Sequence, residues 1–374
     1  MKRRSFLKSA ALVPMIAYFP TFASANNVNS QTLILVQLGG GNDALNTYVP
    51  FNDPAYYEAR GDLAINANDV LPLTSSVGLN PVMAQLLPAW ENADIALVQG
   101  LGYPNPNRSH FRGIDIWQTA SDAETILTQG WLTGLLPNSD SPLQGVILDG
   151  SPGALRGEPN QFAVSGDVTS LSSVYAPEGL SANAEVQHII NQRQAYNAAV
   201  SELQATFATE VNLVTDFASD PFSQQCKTLA TLLVAGAAPE VVHLSLGSFD
   251  THSNQRGAHD NLLAQLANGL AALRAELIHH NKWQDVIAAT YCEFGRRVAT
   301  NGSAGTDHGT AATHLVMGGS VSGGLYGSMP SLTDLDNGDL KFTTDFRDYY
   351  RTLSDWMKWQ TSEELSGFQN LAFA

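Results

Sequence analysis

The chain has 374 residues, of which 44% are hydrophobic and 14% charged, enough for one large α/β domain or two smaller ones. Its formal net charge of −16 at pH 7 argues against binding to nucleic acid or anionic lipid and favours binding of cations. The two cysteines, Cys226 and Cys292, are too few for a disulfide framework or a thiolate metal cluster. We expect buried, unpaired thiols, and pairing of the two stays open.

The first 25 residues predict a twin-arginine signal peptide. Arg3 and Arg4 precede an apolar run over residues 10–22 and a small-x-small cleavage pattern at 23–25. The run is shorter than the roughly 20 apolar residues of a membrane-spanning helix, so we expect cleavage and no stable membrane insertion. This signal predicts the twin-arginine export machinery as a partner and a periplasmic, extracellular or cell-surface location.

Along the rest of the chain, short β-rich runs alternate with helical patterns. Strands are predicted at 31–38, 95–99, 145–148, 241–246, 286–290 and 314–317. Helices are predicted at 80–90, 114–119, 261–279 and 346–360. This alternation predicts an α/β fold in which a doubly wound, mostly parallel sheet carries helices on both faces, in a single domain over 26–374.

Three stretches depart from the alternation. A polar, helix-forming stretch over 181–217 has no strand beside it and predicts an inserted helical cap, at about 175–225, over the edge of the sheet. The turns rich in Gly, Pro and Ser around 150–157 and 318–331 predict surface loops.

Two loops in the first third of the chain carry candidate site residues. Asp43 comes directly after the first strand, in a glycine-rich loop without the Rossmann or Walker spacing. Ser109 precedes a predicted helix, where it is either a nucleophile or a plain helix cap. Its neighbours Arg108, His110 and Arg112 favour the catalytic interpretation.

Two later loops hold a denser set of polar residues. Asp250 and His252 follow the strand at 241–246, so a carboxylate and an imidazole can converge on one cation. Glu293 and Arg296 precede the run that contains Asp307, His308 and His314. Such a concentration of ligand types is not typical of a helix cap or an ordinary surface loop.

Six of these residues form a candidate metal site at predicted strand ends, with His259 as a reserve ligand. The six ligands are Asp43, Asp250, His252, Asp307, His308 and His314. Three carboxylates and three imidazoles suit one or two divalent ions, with zinc or manganese expected, and such sets serve two-metal hydrolysis.

The order of these residues resembles the alkaline-phosphatase-like superfamily. Its members place an Asp after the first strand, a Ser or Thr at a helix start, an Asp with a nearby His, an Asp-His pair and a final His. Over nearly the whole mature chain, phrases such as LGGGNDALNTYVP, RSHFRGIDIWQT and DTHSNQRGAH resemble an exported branch, domain of unknown function fifteen-hundred-and-one. The resemblance implies metal ions on the six ligands, with Ser109 attacking an ester.

Two functions from different classes remain open. The first is an exported metal-dependent hydrolase of phosphate or sulfate esters, with catalytic candidates Ser109, His110, Arg112, Glu293 and Arg296. A serine at position 109 favours phosphate, and Arg108, Arg112 or Arg296 would hold the anionic oxygens of a small or polymeric substrate.

The alternative is a non-catalytic exported metal-binding protein that acts with a secreted partner in envelope or surface assembly. It rests on the single residue between Asp250 and His252, where the superfamily usually has three. A third possibility, binding of carbohydrate or lipid headgroups, depends on Tyr103, Trp117 and Trp131.

Overall fold

The computed structural model describes residues 31–136, 143–157, 161–163, 172–177, 181, 183–208 and 211–374. The predicted signal peptide at 1–25 and parts of the predicted insertion lie outside these residues. Residues 31–374 belong to one compact unit. Among the described residues, no helix combines the length and the apolar character that crossing a membrane requires.

The described chain alternates strands and helices, as predicted. The strands are β1 Thr32–Leu38, β2 Tyr48–Val49, β3 Leu71–Pro72, β4 Gly78–Leu79, β5 Ile95–Gly102, β6 Gly145–Ile147, β7 Gln161–Ala163, β8 Val241–Leu246, β9 Val286–Tyr291, β10 Ala312–Gly318, β11 Gly324–Gly327, β12 Leu335–Asp336, β13 Asp339–Leu340 and β14 Thr344–Asp345. The α-helices are α1 Ala44–Thr47, α2 Pro54–Arg60, α3 Leu87–Glu91, α4 His110–Thr119, α5 Ala184–Phe207, α6 Pro221–Ala235, α7 Gln255–His279 and α8 Phe346–Trp356. Short 3-10 helices include Pro81–Leu86 and Gly153–Leu155.

A nine-stranded sheet in the order β11-β5-β10-β9-β1-β8-β6-β7, with β14 also on β5, forms the centre of the fold. Strand β1 is buried on both faces, and its side chains alternate between two hydrophobic cores. Ile34 and Val36 join the core of α6 and α7, whereas Leu33 and Leu35 join the core of α4 and α8. The prediction of a mostly parallel sheet with helices on both faces is confirmed.

The direction of β10 determines where the polar loops meet. Among the described strands of this sheet, β10 alone runs antiparallel to its neighbours β5 and β9, while the other pairs are parallel. The residues before β10 therefore lie at the same edge as the residues after β1, β8 and β9. Loops from four distant parts of the sequence converge there.

The helix ends follow from local sequence. Asp220 caps α6 by accepting a hydrogen bond from the amide of Ser223, Pro221 occupies the first helical turn, and Gly236 ends the helix with φ 103°. Asn183 caps α5 in the same way, through the amides of residues 185 and 186.

Helix α5 confirms a helix in the predicted insertion but ends at Phe207, earlier than the predicted 217. Its buried residues Ala199, Val200 and Leu203 pack in the core that also contains α6. The prediction of a plain loop over 318–331 is wrong for Gly324–Gly327, which pairs with β5 at an edge of the sheet. This strand was missed because it is only partly buried and lacks an apolar run.

Cys226 and Cys292 are both buried and unpaired, which decides between the two alternatives left open by the sequence. Burial raises the pKa of both thiols, to about 12 for Cys292. Neither cysteine is therefore a reactive thiolate.

Candidate metal centre

Four side chains from three loops converge at the edge where the strand ends meet; we call them the His-Asp cluster. They are His110, Asp250, His252 and His308. Oδ1 of Asp250 lies 3.0 Å from Nε2 of His252 and 3.1 Å from Nε2 of His308. Its Oδ2 lies 3.3 Å from Nε2 of His110. The predicted meeting of Asp250, His252 and His308 is thus present, with His110 added from the start of α4.

Each imidazole of the cluster turns its other nitrogen towards a hydrogen-bond acceptor. Nδ1 lies 2.8 Å from a Glu293 carboxylate oxygen in His110, 3.1 Å from Asp307 in His252, and 2.9 Å from the carbonyl oxygen of Arg108 in His308. A proton on each Nδ1 would leave the lone pair of each Nε2 free to bind a metal ion. Three Nε2 atoms therefore surround one carboxylate.

With Nδ1 protonated, this arrangement would place acceptors against acceptors. The Nε2 atoms of His252 and His308 lie 2.9 Å apart, and Nε2 of His110 is buried without a hydrogen-bond partner among the described residues. The carboxylates of Asp250, Glu293 and Asp307 all contact these imidazoles. A divalent cation would bind the lone pairs and offset the carboxylate charge.

The spacing of the ligand atoms fits such an ion. A tetrahedral ion with bonds of about 2.0–2.1 Å holds neighbouring ligand atoms about 3.3 Å apart. The three contacts among Asp250, His252 and His308 span 2.9 to 3.1 Å, and ligand atoms of His110, Asp250 and His308 all lie within 4.8 Å of one another. Because the side chains of Asp250 and His252 are more than 40% exposed, the centre is open to solvent and to a substrate.

Arg296 holds the loops of the centre together. Its buried guanidinium donates hydrogen bonds to the carbonyls of Gly40, Gly41, Phe249 and Thr306, and to Oδ1 of Asp250 at 2.7 Å. Burial raises the pKa of Asp250, but its neighbours, Arg296 above all, outweigh this and leave that pKa at about 2. With its nitrogens engaged, Arg296 positions Asp250 and cannot also hold a substrate anion, contrary to its predicted role.

Glu293 acts on His110 rather than on the centre directly. One of its oxygens accepts hydrogen bonds from Nδ1 of His110 and from the Gly40 amide, the latter at 2.9 Å. The residue is 4% exposed, and its second oxygen has no hydrogen-bond partner among the described residues. A carboxylate behind an imidazole fixes the tautomer and orientation of a metal ligand.

Asp307 likewise contacts the Nδ1 side of an imidazole, that of His252, and does not belong to the cluster. Its Oδ1 faces Nδ1 of His252 and accepts a hydrogen bond of 3.0 Å from Asn301. Hydrogen bonds from Asn301 and His252 lower the pKa of Asp307. Asp307, a predicted metal ligand, therefore contacts His252 and is not itself a member of the His-Asp cluster.

The structure does not bring Asp43 to the cluster. Asp43 is 1% exposed and accepts hydrogen bonds from both terminal nitrogens of Arg60, one at 2.8 Å, and from Gln255. Burial raises the pKa of Asp43, but the Arg60 guanidinium outweighs it and lowers that pKa. Arg60 lies 17 residues away in α2, and no spacing rule linked it to Asp43.

His314 also stays apart from the cluster. The strand begins at Ala312, so His314 lies inside β10, fully buried, with Trp117 as an aromatic neighbour. Its nitrogens are 3.3 Å from the Thr290 hydroxyl and 3.6 Å from the Cys292 sulfur. Burial lowers the pKa of His314 to about 3, which keeps it neutral. The prediction started this strand at His314, but β10 begins two residues earlier, which takes His314 into the sheet.

Ser109 and Arg112 have different surroundings. Ser109 is exposed directly before α4, next to His110, and its side chain makes no capping hydrogen bond. Arg112 pairs with Asp115 and donates to carbonyls of residues 122, 123 and 125, so it is engaged away from the cluster. The reserve ligand His259 is buried, with Nε2 2.9 Å from Oδ1 of Asn42, and it is not in the cluster.

Several residues that matter here were not found from the sequence. The main-chain carbonyl of Arg108, the amide of Asn301 and the buried pair partner Arg60 carry no motif of their own. His110 was placed among the catalytic residues, although its position beside Ser109 at a helix start was the signal for a converging ligand. Trp117 and Trp131 lie in the core, so they offer no ligand surface.

The family described as "Protein of unknown function (DUF1501)" matches residues 160–362. Similar solved structures include a protein in the Alkaline Phosphatase Superfamily from Vibrio parahaemolyticus, at 9% identity and a TM-score of 0.40, covering 91% of this chain and 69% of that one. A phosphonate monoester hydrolase from Silicibacter pomeroyi shows 10% identity and a TM-score of 0.41, covering 91% and 76%. The C-terminal periplasmic domain of EcEptC from Escherichia coli, in complex with Zn, shows 9% and 0.42, covering 90% and 85%. No curated protein matches the chain.

Proposed function

This chain belongs to the DUF1501 family of proteins of unknown function, and we propose that it is an exported, alkaline-phosphatase-like, metal-dependent hydrolase of phosphate or sulfate esters. The observation that carries the proposal is the convergence of three imidazoles on Asp250, with Ser109 exposed beside them. Export by the twin-arginine route to the periplasm or cell surface is part of the proposal and rests on residues 1–25.

The ligands in this proposal are His110, Asp250, His252 and His308, which would hold one zinc or manganese ion. When bound, a divalent ion would supply Lewis-acid stabilisation of the negative charge that develops on an ester oxygen. Glu293, Asp307 and the carbonyl of Arg108 keep the three imidazoles in the required tautomer.

Ser109 is the proposed nucleophile. Its hydroxyl lies at the N-terminal end of the ten-residue helix α4, where the helix dipole favours a developing negative charge. A serine rather than a cysteine at this position favours phosphate over sulfate esters. Of the three candidate arginines, Arg108 has a side chain 41% exposed, which suits it for contact with an anionic oxygen.

The test combines metal analysis with hydrolysis. We expect protein purified without chelators to contain a stoichiometric transition metal and to hydrolyse p-nitrophenyl phosphate. His308→Ala should lose both the metal and the activity, whereas Ser109→Ala should keep the metal and lose the activity. His279→Ala, which changes an exposed histidine at the end of α7, is the matched control and should keep both. Absence of metal from the wild-type protein, or full activity in Ser109→Ala, would refute the proposal.

A non-catalytic metal-binding role remains the second candidate. The observation that favours it is that Ser109 has no hydrogen bond from its hydroxyl to any described residue that could act as a base. A metal-loaded protein that hydrolyses neither aryl phosphates nor aryl sulfates, and whose pull-downs recover one constant secreted partner, would establish that role.

A further inference from the structure

A cavity of about 570 Å³ lies beside the His-Asp cluster. One wall comes from the loop after β5, and the opposite wall comes from the hairpin of β12 and β13 with the residues that follow it. The hairpin turns through Asn337 and Gly338, both with positive φ, the residue pair typical of a tight hairpin turn. The volume of the cavity falls in the range of roughly 300–1,000 Å³ that small-molecule sites occupy.

Two residues join this cavity to the cluster. The ring of Phe294 lines the cavity and lies 4.9 Å from the His110 ring and 4.6 Å from the His308 ring, measured between centroids. Arg108 lines the cavity while its carbonyl oxygen orients His308. A ligand bound in the cavity would therefore lie next to the cluster.

The charges around the cavity balance. Its lining contains two basic side chains, Arg108 and Lys341, and two carboxylates, Asp336 and Asp339. Arg108 pairs with Asp339 at 2.9 Å. An anionic group would meet the two carboxylates, and a cationic group would meet the two basic side chains. The lining therefore favours a neutral group.

The remaining lining combines aromatic faces with hydrogen-bonding groups. Tyr103, Phe294 and Phe342 supply rings, and Asn105 and Asn337 supply amides. Asp339 is 4% exposed and is held by Arg108 at 2.9 Å and by Arg297 at 3.6 Å, so the rings and the amides are the groups left to contact a ligand.

We propose that this cavity binds a neutral, hydroxyl-rich group, of which a sugar ring is the chemical type, as the alcohol part of the ester cleaved at the cluster. The inference rests on the proposed function, because it assigns the cavity to the same reaction. Sugar hydroxyls donate to the amide oxygens and accept from the amide nitrogens, while the C–H face of the ring packs on the aromatic side chains.

Binding of neutral disaccharides to the metal-loaded protein tests this inference without any hydrolysis. Saturation-transfer NMR with cellobiose, maltose and chitobiose is expected to give a signal for at least one of them. Asn105→Gly removes a lining amide and tolerates the positive φ of 54° at that position. We expect it to raise the apparent Kd about three- to tenfold, the effect of one lost hydrogen bond.

Asn281→Gly is the matched control, because Asn281 is also exposed with a positive φ of 55° but lies before β9, at the opposite edge of the sheet. It should leave the Kd unchanged. Phe342→Ala, at a ring that is 37% exposed, gives an independent test and should also weaken binding.

Absence of signal from all three disaccharides, or equal Kd values for Asn105→Gly, Phe342→Ala and the control, overturns the inference. A protein that hydrolyses p-nitrophenyl phosphate but binds no disaccharide contradicts this inference alone. A protein that binds a disaccharide but hydrolyses no ester contradicts the proposed function alone.

Discussion

Glu293 is the residue behind His110, and its effect on metal affinity can be separated from any direct ligation. Glu293→Gln keeps the size of the side chain but removes the charge that fixes the proton on Nδ1 of His110. Loss of such a partner weakens metal binding by roughly 10–100-fold, so we expect the Kd for zinc to rise within that range. Competition against a chromophoric chelator measures the change.

Glu240→Gln is the matched control for this measurement. Glu240 is also buried but directly precedes β8, at the far edge of the sheet from the cluster. Its substitution should leave zinc affinity unchanged. Equal affinities in Glu293→Gln and in the control would show that Glu293 does not position His110.

The pairing of Asp43 with Arg60 predicts a structural effect where the sequence suggested a metal ligand. Asp43→Asn leaves the Arg60 guanidinium buried opposite a neutral group, and breaking a buried pair costs about 3–5 kcal/mol. We expect that loss in the free energy of unfolding, measured in urea, with metal content unchanged. Asp334→Asn, at an exposed pair with Lys341, should cost no more than about 1 kcal/mol. Loss of metal from the folded Asp43→Asn protein would make Asp43 a ligand after all.

At the residue scale, the sequence identified the types of ligand better than their partners. Asp250 and His252 could be predicted because a parallel sheet gathers the loops after its strands at one edge, whereas His308 joins them because β10 runs antiparallel. The absence of Asp43 from the cluster could not be predicted from the sequence. It depends on Arg60 in α2, which contacts Asp43 only in the folded chain. Which imidazole nitrogen faces outward likewise depends on long-range acceptors such as the carbonyl of Arg108.

Helix α4 carries His110 to the cluster, and Gly113 sets how closely the helix approaches. A Cβ at position 113 would lie 2.9 Å from the carbonyl oxygen of Glu293 and 3.2 Å from the Phe294 ring. Gly113→Ala adds helix propensity of about 0.5–1 kcal/mol, but overpacking costs about 1–3 kcal/mol. We expect lower stability, measured by thermal unfolding, and zinc affinity weakened by about tenfold as His110 moves from Glu293.

Gly257→Ala in α7 is the control for this substitution, since a Cβ there meets no atom within 4 Å. It should be neutral or stabilise the protein by up to about 1 kcal/mol. If Gly113→Ala behaves like Gly257→Ala, the close approach of α4 does not position His110.

At the element scale, most strands and helices of the main sheet were predictable because apolar runs mark buried parallel strands. The direction of β10 could not be predicted, because an apolar run has the same pattern in a parallel and in an antiparallel strand. That direction brings Asp307 and His308 to the edge of the cluster. The start of β10 at Ala312 places His314 inside the sheet. The short edge strands, such as β11, lack the periodicity that would reveal them.

For the whole molecule, Glu240 predicts a dependence of stability on pH. Burial raises the pKa of Glu240 from 4.5 to about 7 in the folded protein, and its Oε2 has no hydrogen-bond partner among the described residues. The folded state thus binds a proton that the unfolded state releases between these values, so stability falls as pH rises from 4.5 to 7. One pKa unit corresponds to about 1.4 kcal/mol, so the loss from this group is up to about 3 kcal/mol.

Urea unfolding of the wild-type protein and Glu240→Gln at pH 5 and pH 8 measures this contribution. Relative to the wild-type protein, the variant should gain stability between the two pH values, because it lacks the charge that forms in the folded state. A difference between the two proteins that stays constant with pH would show that Glu240 titrates normally.

Arg108 belongs at once to the cavity, through its side chain, and to the cluster, through its main chain. A ligand that restrains Arg108 lowers the entropic cost of holding His308 in place, so binding at the two positions is thermodynamically linked. Such linkage is reciprocal: the factor by which a bound metal tightens the cavity for its ligand equals the factor by which the ligand tightens the metal. The occupancy of the metal centre is therefore expected to rise with the supply of the molecule on which it acts.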